Sequence, residues 1–118
     1  MQELQVGAPA SLSTDLGPLI DQDAWQIVHD HIERMKAKSF PVFQATRFDN
    51  SAQGHFIAPT LIELQQLHEL QREVFGPVLH IVRFNADQLP AVLHELNATG
   101  YALTFGIHSR IQSTIELA

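Results

Sequence analysis

The chain has 118 residues, 45% of them hydrophobic and 17% charged, so it is long enough for one modest core and is neither disordered nor fibrous. Thirteen acidic residues against seven basic ones give a formal net charge of −6. This balance argues against a nucleic-acid partner, which needs a basic face, and against docking on an anionic membrane surface.

Cysteine is absent from the sequence, which excludes disulfides, thiolate metal sites and a thiol nucleophile within this chain. No apolar run approaches the roughly twenty residues that cross a bilayer. The N-terminus also lacks the basic-then-apolar order of a secretory signal. We therefore expect a cytoplasmic protein without a membrane partner.

A loop is predicted for residues 1–20, which are rich in Gly, Pro, Ser and Thr and show no period. A helix is predicted over residues 22–38, because Asp21 can cap its N-terminus and an apolar stripe follows at three- and four-residue spacing. The stripe consists of Trp25, Val28, Ile32 and Met35.

The middle of the chain predicts a β-hairpin followed by a short helix. Strands are expected over 42–46 and 54–58, with Pro59 and Thr60 interrupting the second one. Leucines at three-residue spacing within 63–72 give a weak helical signal.

After the break at Gly76–Pro77, the pattern predicts a strand over 78–84, a helix over 88–99 and a strand over 102–107. Asp87 can cap this helix, and Gly100 suits the left-handed position after it. Strand, helix and strand in about thirty residues make a βαβ crossover, which predicts parallel pairing of the two strands. The expected fold class is therefore α/β, with a mostly parallel sheet and flanking helices.

A last helix is predicted to begin near Ser109, and the chain stops at Ala118, about two turns into it. Since a natural domain seldom ends there, we expect residues 1–118 to be one partial domain cut from a larger one.

Seven histidines raise the possibility of a metal site. His29 and His31 diverge by about 200° around a helix and cannot share a small ion. His29 and Glu33 are correctly spaced, but two ligands do not make a site. His55, His80 and His108 have no ligand-like spacing. We therefore expect no metal, and we interpret the histidines as solvated or core-edge side chains.

Motifs for self-contained nucleotide binding or serine hydrolysis, GxGxxG, GxxxxGK[ST] and GxSxG, do not occur. Glu63, Glu69 and Glu73 could act as acids or bases, yet each could equally be a solvated charge. The segment 72–78 places a carboxylate and an aromatic ring before a Gly-Pro turn that enters a buried strand. Such residues could face a ligand or simply form a strand-entry turn, and both readings stay open on the residues alone.

The block Glu73-Val-Phe-Gly-Pro-Val78 resembles the cofactor-contacting motif of the aldehyde dehydrogenase superfamily. Four further blocks stand in the family's order and at about its spacing, over residues 6–9, 15–20, 54–60 and 97–103. The resemblance covers nearly the whole chain. It implies that the chain is part of an aldehyde dehydrogenase catalytic domain.

Within the superfamily, residues 99–110 most resemble 1-pyrroline-5-carboxylate dehydrogenases, in the version that bacterial bifunctional proline-utilisation flavoproteins fuse to proline dehydrogenase. The resemblance implies an NAD-dependent oxidation of glutamate γ-semialdehyde to glutamate in proline degradation. It also implies FAD in a fused proline dehydrogenase domain, a homo-oligomeric parent protein and no metal.

In the family, a cysteine thiolate attacks the aldehyde, and a glutamate-activated water later releases the acid. Glu73 matches the family residue whose carboxylate accepts hydrogen bonds from the nicotinamide-ribose hydroxyls, as its two oxygens allow. Phe75 matches the aromatic residue that packs beside the nicotinamide, and Gly76 and Pro77 match the turn that presents both.

The chain departs from the family pattern because it has no nucleophilic cysteine. The resemblance places that cysteine, the general base and the coenzyme-binding domain upstream, and an oligomerisation arm downstream. Ala102 also stands where the family commonly has glycine. We therefore expect the chain to be inactive alone. Two alternatives remain: another aldehyde dehydrogenase with a different substrate, and a stand-alone acidic α/β interaction module without catalysis.

Overall fold

The computed structural model describes residues 3–45, 54–101 and 103–117. The chain is organised in two compact units, which we call unit 1 and unit 2. Unit 1 comprises Met1–Leu64 and Val74–Ile81, and unit 2 comprises Gln65–Glu73 and Val82–Ala118.

The first element of unit 1 is helix α1, Gln22–Ala37. The backbone N–H of Ala24 donates to Oδ1 of Asp21 at 2.8 Å, which confirms the predicted N-cap and satisfies one of the free donors of the first turn. The helix ends at Ala37, Lys38 is its C-cap, and the next residue, Ser39, has a left-handed φ of 62° although it is not glycine. The predicted helix is confirmed to within one residue at its end.

The sheet that the structure describes has three strands in the order β1-β2-β3. They are β1 (Val42–Gln44), β2 (Thr60–Leu64) and β3 (Val78–Val82). Strands β1 and β2 are antiparallel, and Val42 pairs with Ile62.

The prediction of a strand over 54–58 that Pro59 and Thr60 interrupt is wrong, because β2 begins at Thr60. Thr60, Ile62 and Leu64 are buried while the residues between them are half-buried, the period of two of a strand with one covered face. The predicted helix over 63–72 is reduced to a 3₁₀ turn at Leu67–Glu69, because Leu64 belongs to β2.

The core of unit 1 lies between α1 and the segment that contains β2. Val28 and Ile62 are completely buried, and Met35 is 1% exposed. An isolated bridge between Leu19 and His55 joins the N-terminal loop to the rest of this unit, and a second bridge, between Val6 and Leu16, lies within the loop. The predicted loop character is confirmed for the described residues 3–20, where no helix or strand forms.

Unit 2 contains a 3₁₀ turn at Ala86–Gln88, helix α2 (Leu89–Ala98) and helix α3 (Gln112–Leu117). Asn85, and not Asp87, caps this region, because the side chains of Asn85 and Gln88 bond reciprocally to each other's backbone N–H groups. Gly100 has a φ of 74°, which confirms its predicted left-handed position after α2.

The predicted strand over 102–107 is wrong, and with it the parallel pairing to 78–84, since residues 103–107 form no strand and β3 ends at Val82. An apolar run becomes a strand only where a neighbouring strand offers a hydrogen-bonding edge and a covering face. Leu103 is instead fully exposed. The α/β class is nevertheless confirmed by the three-stranded sheet and its helices.

Among the helices of the described residues, none has both the length and the apolar character needed to cross a membrane.

Candidate functional site

The two residues predicted to contact a cofactor, Glu73 and Phe75, precede β3 in the chain. Glu73 is exposed and is the last residue of the first segment of unit 2. Phe75 belongs to unit 1, and its side chain is 85% exposed. An exposed carboxylate and an exposed ring are available to a ligand, and their contact with a cofactor stays a prediction.

Gly76 lets the turn that follows Phe75 approach α1 closely. A β-carbon built on Gly76 would lie 2.9 Å from Cγ2 of Val28 and 3.7 Å from Cδ2 of Leu19. Val28 is completely buried and β-branched, so its methyl groups cannot swing away at low cost. Since φ of Gly76 is not positive, the position needs glycine for space and not for an unusual conformation.

Backbone hydrogen bonds hold the same turn to the sheet. The N–H of Thr60 donates to the carbonyl of Pro77 at 2.9 Å, and the N–H of Val78 donates to the carbonyl of Gly76 at 2.8 Å. The turn is therefore fixed on one side by β2 and on the other by α1. This arrangement gives the backbone beside Phe75 a defined position within unit 1.

A cavity of about 330 Å³ lies beside this turn within unit 1. Mostly apolar side chains line it, among them Leu4, Leu16 and Leu79. Such a lining favours an apolar group and offers few hydrogen-bonding partners to a polar one.

A histidine pair joins α1 to β3 close to the turn. Nε2 of His31 lies 2.8 Å from Nε2 of His80, and Nδ1 of His31 lies 3.0 Å from Nη2 of Arg34. The two rings meet nearly edge to face, with centroids 5.0 Å apart and an interplanar angle of 79°. His31 is 2% exposed, and burial lowers the pKa of His80 below its ordinary value.

The interpretation of the histidines as solvated or core-edge side chains missed this pair. His31 lies three residues after Val28 and four before Met35, so it shares the buried face of α1. His80 lies inside an apolar strand. A buried imidazole needs a hydrogen-bond partner, and a second histidine in an apolar strand was the available signal.

The remaining candidates from the sequence occupy separate places. Glu63 is half-buried in β2, and Glu69 lies in the 3₁₀ turn of unit 2. His29 stacks on Trp25 with centroids 4.6 Å apart, and the indole N–H of Trp25 donates to the carbonyl of Phe56 at 2.9 Å. The described residues contain no group of three His, Asp or Glu side chains that could hold a metal ion.

Comparison with known proteins gives a consistent result over the whole chain. The bifunctional protein PutA of Escherichia coli (strain K12) is 51% identical over 121 residues, which cover 98% of this chain and 9% of that protein.

Solved structures agree. A crystal structure of bifunctional proline utilization A (PutA) matches with a TM-score of 0.87 and 41% identity, over 98% of this chain and 11% of that one. A 1-pyrroline-5-carboxylate dehydrogenase from Thermus with bound NAD matches with a TM-score of 0.76 and 33% identity, over 96% of this chain and 21% of that one. The chain thus spans about a tenth to a fifth of the length of these proteins.

The model of the aldehyde dehydrogenase family matches residues 1–118, which include the motif that the turn before β3 carries. The match therefore extends over both units and over every block on which the resemblance rests. The chain belongs to the aldehyde dehydrogenase family.

Proposed function

We propose that the chain is part of the catalytic domain of a cytoplasmic, NAD-dependent 1-pyrroline-5-carboxylate dehydrogenase. The longer protein oxidises L-glutamate γ-semialdehyde to L-glutamate in proline degradation. It also carries a proline dehydrogenase domain with FAD, and it assembles as a homo-oligomer. The supporting observation is the 51% identity to a bifunctional PutA protein over nearly the whole chain.

The use of NAD is supported by a solved relative of 33% identity, a 1-pyrroline-5-carboxylate dehydrogenase with bound NAD. The residues of this chain fit such a cofactor chemically. The exposed ring of Phe75 offers an apolar face to the nicotinamide, and the exposed carboxylate of Glu73 can accept bonds from both hydroxyls of a ribose. NAD, when bound, accepts the hydride that leaves the aldehyde carbon.

The work of the chain itself is positioning. The close approach of Gly76 to Val28 and the bond from Thr60 to Pro77 hold the turn, so that Phe75 is presented from a fixed backbone. An aromatic ring carried at a defined backbone position limits the orientations of the group that packs on it, which favours a geometry suited to hydride transfer.

A partial domain is supported by the surface of unit 2. Its described residues 101 and 103–111 include a series of large exposed apolar side chains, the kind of surface that proteins normally cover. They are Tyr101, Leu103, Phe105, Ile107 and Ile111, with exposures of 56, 100, 55, 37 and 63%. We propose that further chain of the same catalytic domain covers them in the longer protein.

The test of the proposed site is Glu73→Gln in the longer protein. Loss of one charge-assisted acceptor corresponds to about 1.5–3 kcal/mol, so the rate of hydride transfer should fall by roughly ten- to a hundredfold. The KM for the aldehyde should change much less. Single-turnover formation of NADH measures the chemical step directly.

Glu3→Gln serves as a matched control, because Glu3 is also exposed but lies outside the motif. It should leave the rate unchanged. An unchanged rate in Glu73→Gln would remove Glu73 from the cofactor site, and an equal loss in both variants would assign the effect to general charge.

Two further assays separate the alternatives. The 118-residue chain alone should reduce no NAD with any aldehyde, because it has no cysteine to act as the nucleophile; measurable turnover would contradict this reasoning. The longer protein should prefer glutamate γ-semialdehyde to a simple aliphatic aldehyde, and the opposite preference would indicate an aldehyde dehydrogenase of another specificity.

A further inference from the structure

The contacts of His31 with Arg34 and His80 together fit one arrangement of protons. A guanidinium group only donates, so Nδ1 of His31, 3.0 Å from Arg34, must be a bare acceptor. The proton of a neutral His31 is therefore on Nε2, and it donates to Nε2 of His80 at 2.8 Å. His80 must then carry its own proton on Nδ1.

This arrangement requires both imidazoles to be neutral. A proton added to His80 would place an N–H on Nε2, facing the N–H of His31. A proton added to His31 would place an N–H on Nδ1, facing the cationic Arg34 at 3.0 Å. Either event replaces a hydrogen bond with two opposed donors, which is costly where His31 is 2% exposed.

The neighbouring elements contribute the following groups. Helix α1 contributes the charge of Arg34, and β3 contributes His80. The side chains that β2 buries, Thr60, Ile62 and Leu64, are uncharged, and its carboxylate Glu63 lies at an alternate, half-buried position. Strand β1, Val42–Gln44, carries no ionisable side chain.

The pair stands next to the contacts that fix the turn before β3. Val28 and His31 lie one turn apart on α1, and they meet Gly76 and His80, which lie four residues apart along the chain. Release of the histidine contact would therefore loosen β3 at a point close to the Gly76–Pro77 turn.

We propose that His31 and His80 form a protonation-sensitive latch that holds β3 and the Gly76–Pro77 turn against α1 at neutral pH and weakens as the pH falls. His31 and His80 act as positioning residues, since they touch neither substrate nor cofactor in this inference. The latch is a property of unit 1 and does not depend on the proposed function.

The proton arrangement is tested by nitrogen NMR of the imidazoles of the 118-residue chain at pH 7.5. Long-range proton–nitrogen correlations distinguish the two neutral forms of a histidine. We expect Nε2–H for His31 and Nδ1–H for His80. A proton on Nδ1 of His31, or on Nε2 of His80, would overturn the proposal.

The release is tested by hydrogen exchange of the Thr60 amide, which donates to Pro77. Opening frees two imidazoles of ordinary pKa, near 6.5. Below that pH, the protection of this amide should fall by up to about tenfold per pH unit for each of them. An unprotected Thr60 amide at pH 7.5 would also overturn the proposal, since the latch requires the packed turn.

His80→Gln separates the latch from a structural role, because the glutamine oxygen can still accept from Nε2–H of His31 but does not titrate. It should keep the protection at pH 7.5 and halve the slope of log protection against pH. His108→Gln removes an exposed histidine and should leave the slope unchanged. The latch would be refuted if log protection changed equally steeply with pH in the native chain and in His80→Gln. Loss of protection of the Thr60 amide at pH 7.5 in His80→Gln would refute it as well.

Discussion

Gly76→Ala tests whether the turn before β3 depends on its close approach to α1. The added carbon would lie 2.9 Å from Cγ2 of Val28, whereas carbon atoms in contact prefer about 3.5–4.0 Å. Separating them requires a shift of at least about 0.6 Å against the completely buried Val28, and overpacking of this kind costs about 1–3 kcal/mol. Reduced freedom of the unfolded chain offsets about 0.4–1 kcal/mol. We therefore expect a net loss of about 1–2 kcal/mol.

Urea unfolding followed by the fluorescence of Trp25, the one tryptophan in the sequence, measures this loss within unit 1. With a slope of about 2 kcal/mol/M, the midpoint should fall by about 0.5–1 M. Gly106→Ala is the control, since a β-carbon there would meet nothing within 4 Å and φ is not positive. Its midpoint should not fall.

A double variant identifies the atom responsible. Val28→Ala removes the methyl group at 2.9 Å and is itself destabilising, because it leaves a cavity in the core. Combined with Gly76→Ala, it should cost less than the sum of the two single changes, with a coupling of about 0.5–3 kcal/mol. Strict additivity, or a Gly76→Ala midpoint equal to that of Gly106→Ala, would refute the steric explanation.

Three further results are expected in unit 1. Asp21→Ala should lower the free energy of unfolding by about 1 kcal/mol by removing the N-cap bond, and Asp21→Asn, which keeps an acceptor, should cost less in the same urea titration. Ile62→Ala should cost about 2–5 kcal/mol because Ile62 is completely buried, whereas Leu79→Ala, at a site 56% exposed, should cost less than half as much. Burial lowers the pKa of His80, so its contribution to the free energy of unfolding is complete above about pH 6.5 and is lost as the pH falls through the lowered pKa. Urea unfolding at a series of pH values should show this loss, with a slope of at most about 1.4 kcal/mol per pH unit.

The parts of the fold that local signals control were predictable from the sequence. Helix α1 combines a side-chain cap at Asp21 with a stripe of apolar residues at helical spacing, and both act within a few residues of the chain. Gly100 is likewise identified by the local need for a left-handed residue after α2.

The strands were harder to predict because their partners are distant in the chain. Leu64 fits both a helical series with Leu67 and the alternation that begins at Thr60, and pairing with β1 selects the second. The predicted strand over 102–107 has the right composition, yet its described residues find no strand to pair with.

In the candidate site, too, some residues could be predicted from local sequence and others only from tertiary packing. The resemblance identifies Glu73 and Phe75 from a short motif, without any knowledge of the fold. The contact of His31 with His80 joins residues 49 positions apart, so it follows from tertiary packing and could not be derived from spacing. The role of Gly76 also becomes clear only once Val28 is placed opposite it.

The C-terminus of α1 has a consequence for protein engineering. Ser39 holds a φ of 62°, and the N–H of Phe40 donates to the carbonyl of Met35, so a side-chain-bearing residue occupies the place where helices usually end in glycine. A β-carbon in that conformation costs about 1 kcal/mol. Replacement by glycine would relieve part of this strain and would raise the thermal stability of the chain. Because Ser39 is remote in sequence from the cofactor motif, it is a suitable first position for a more thermostable variant.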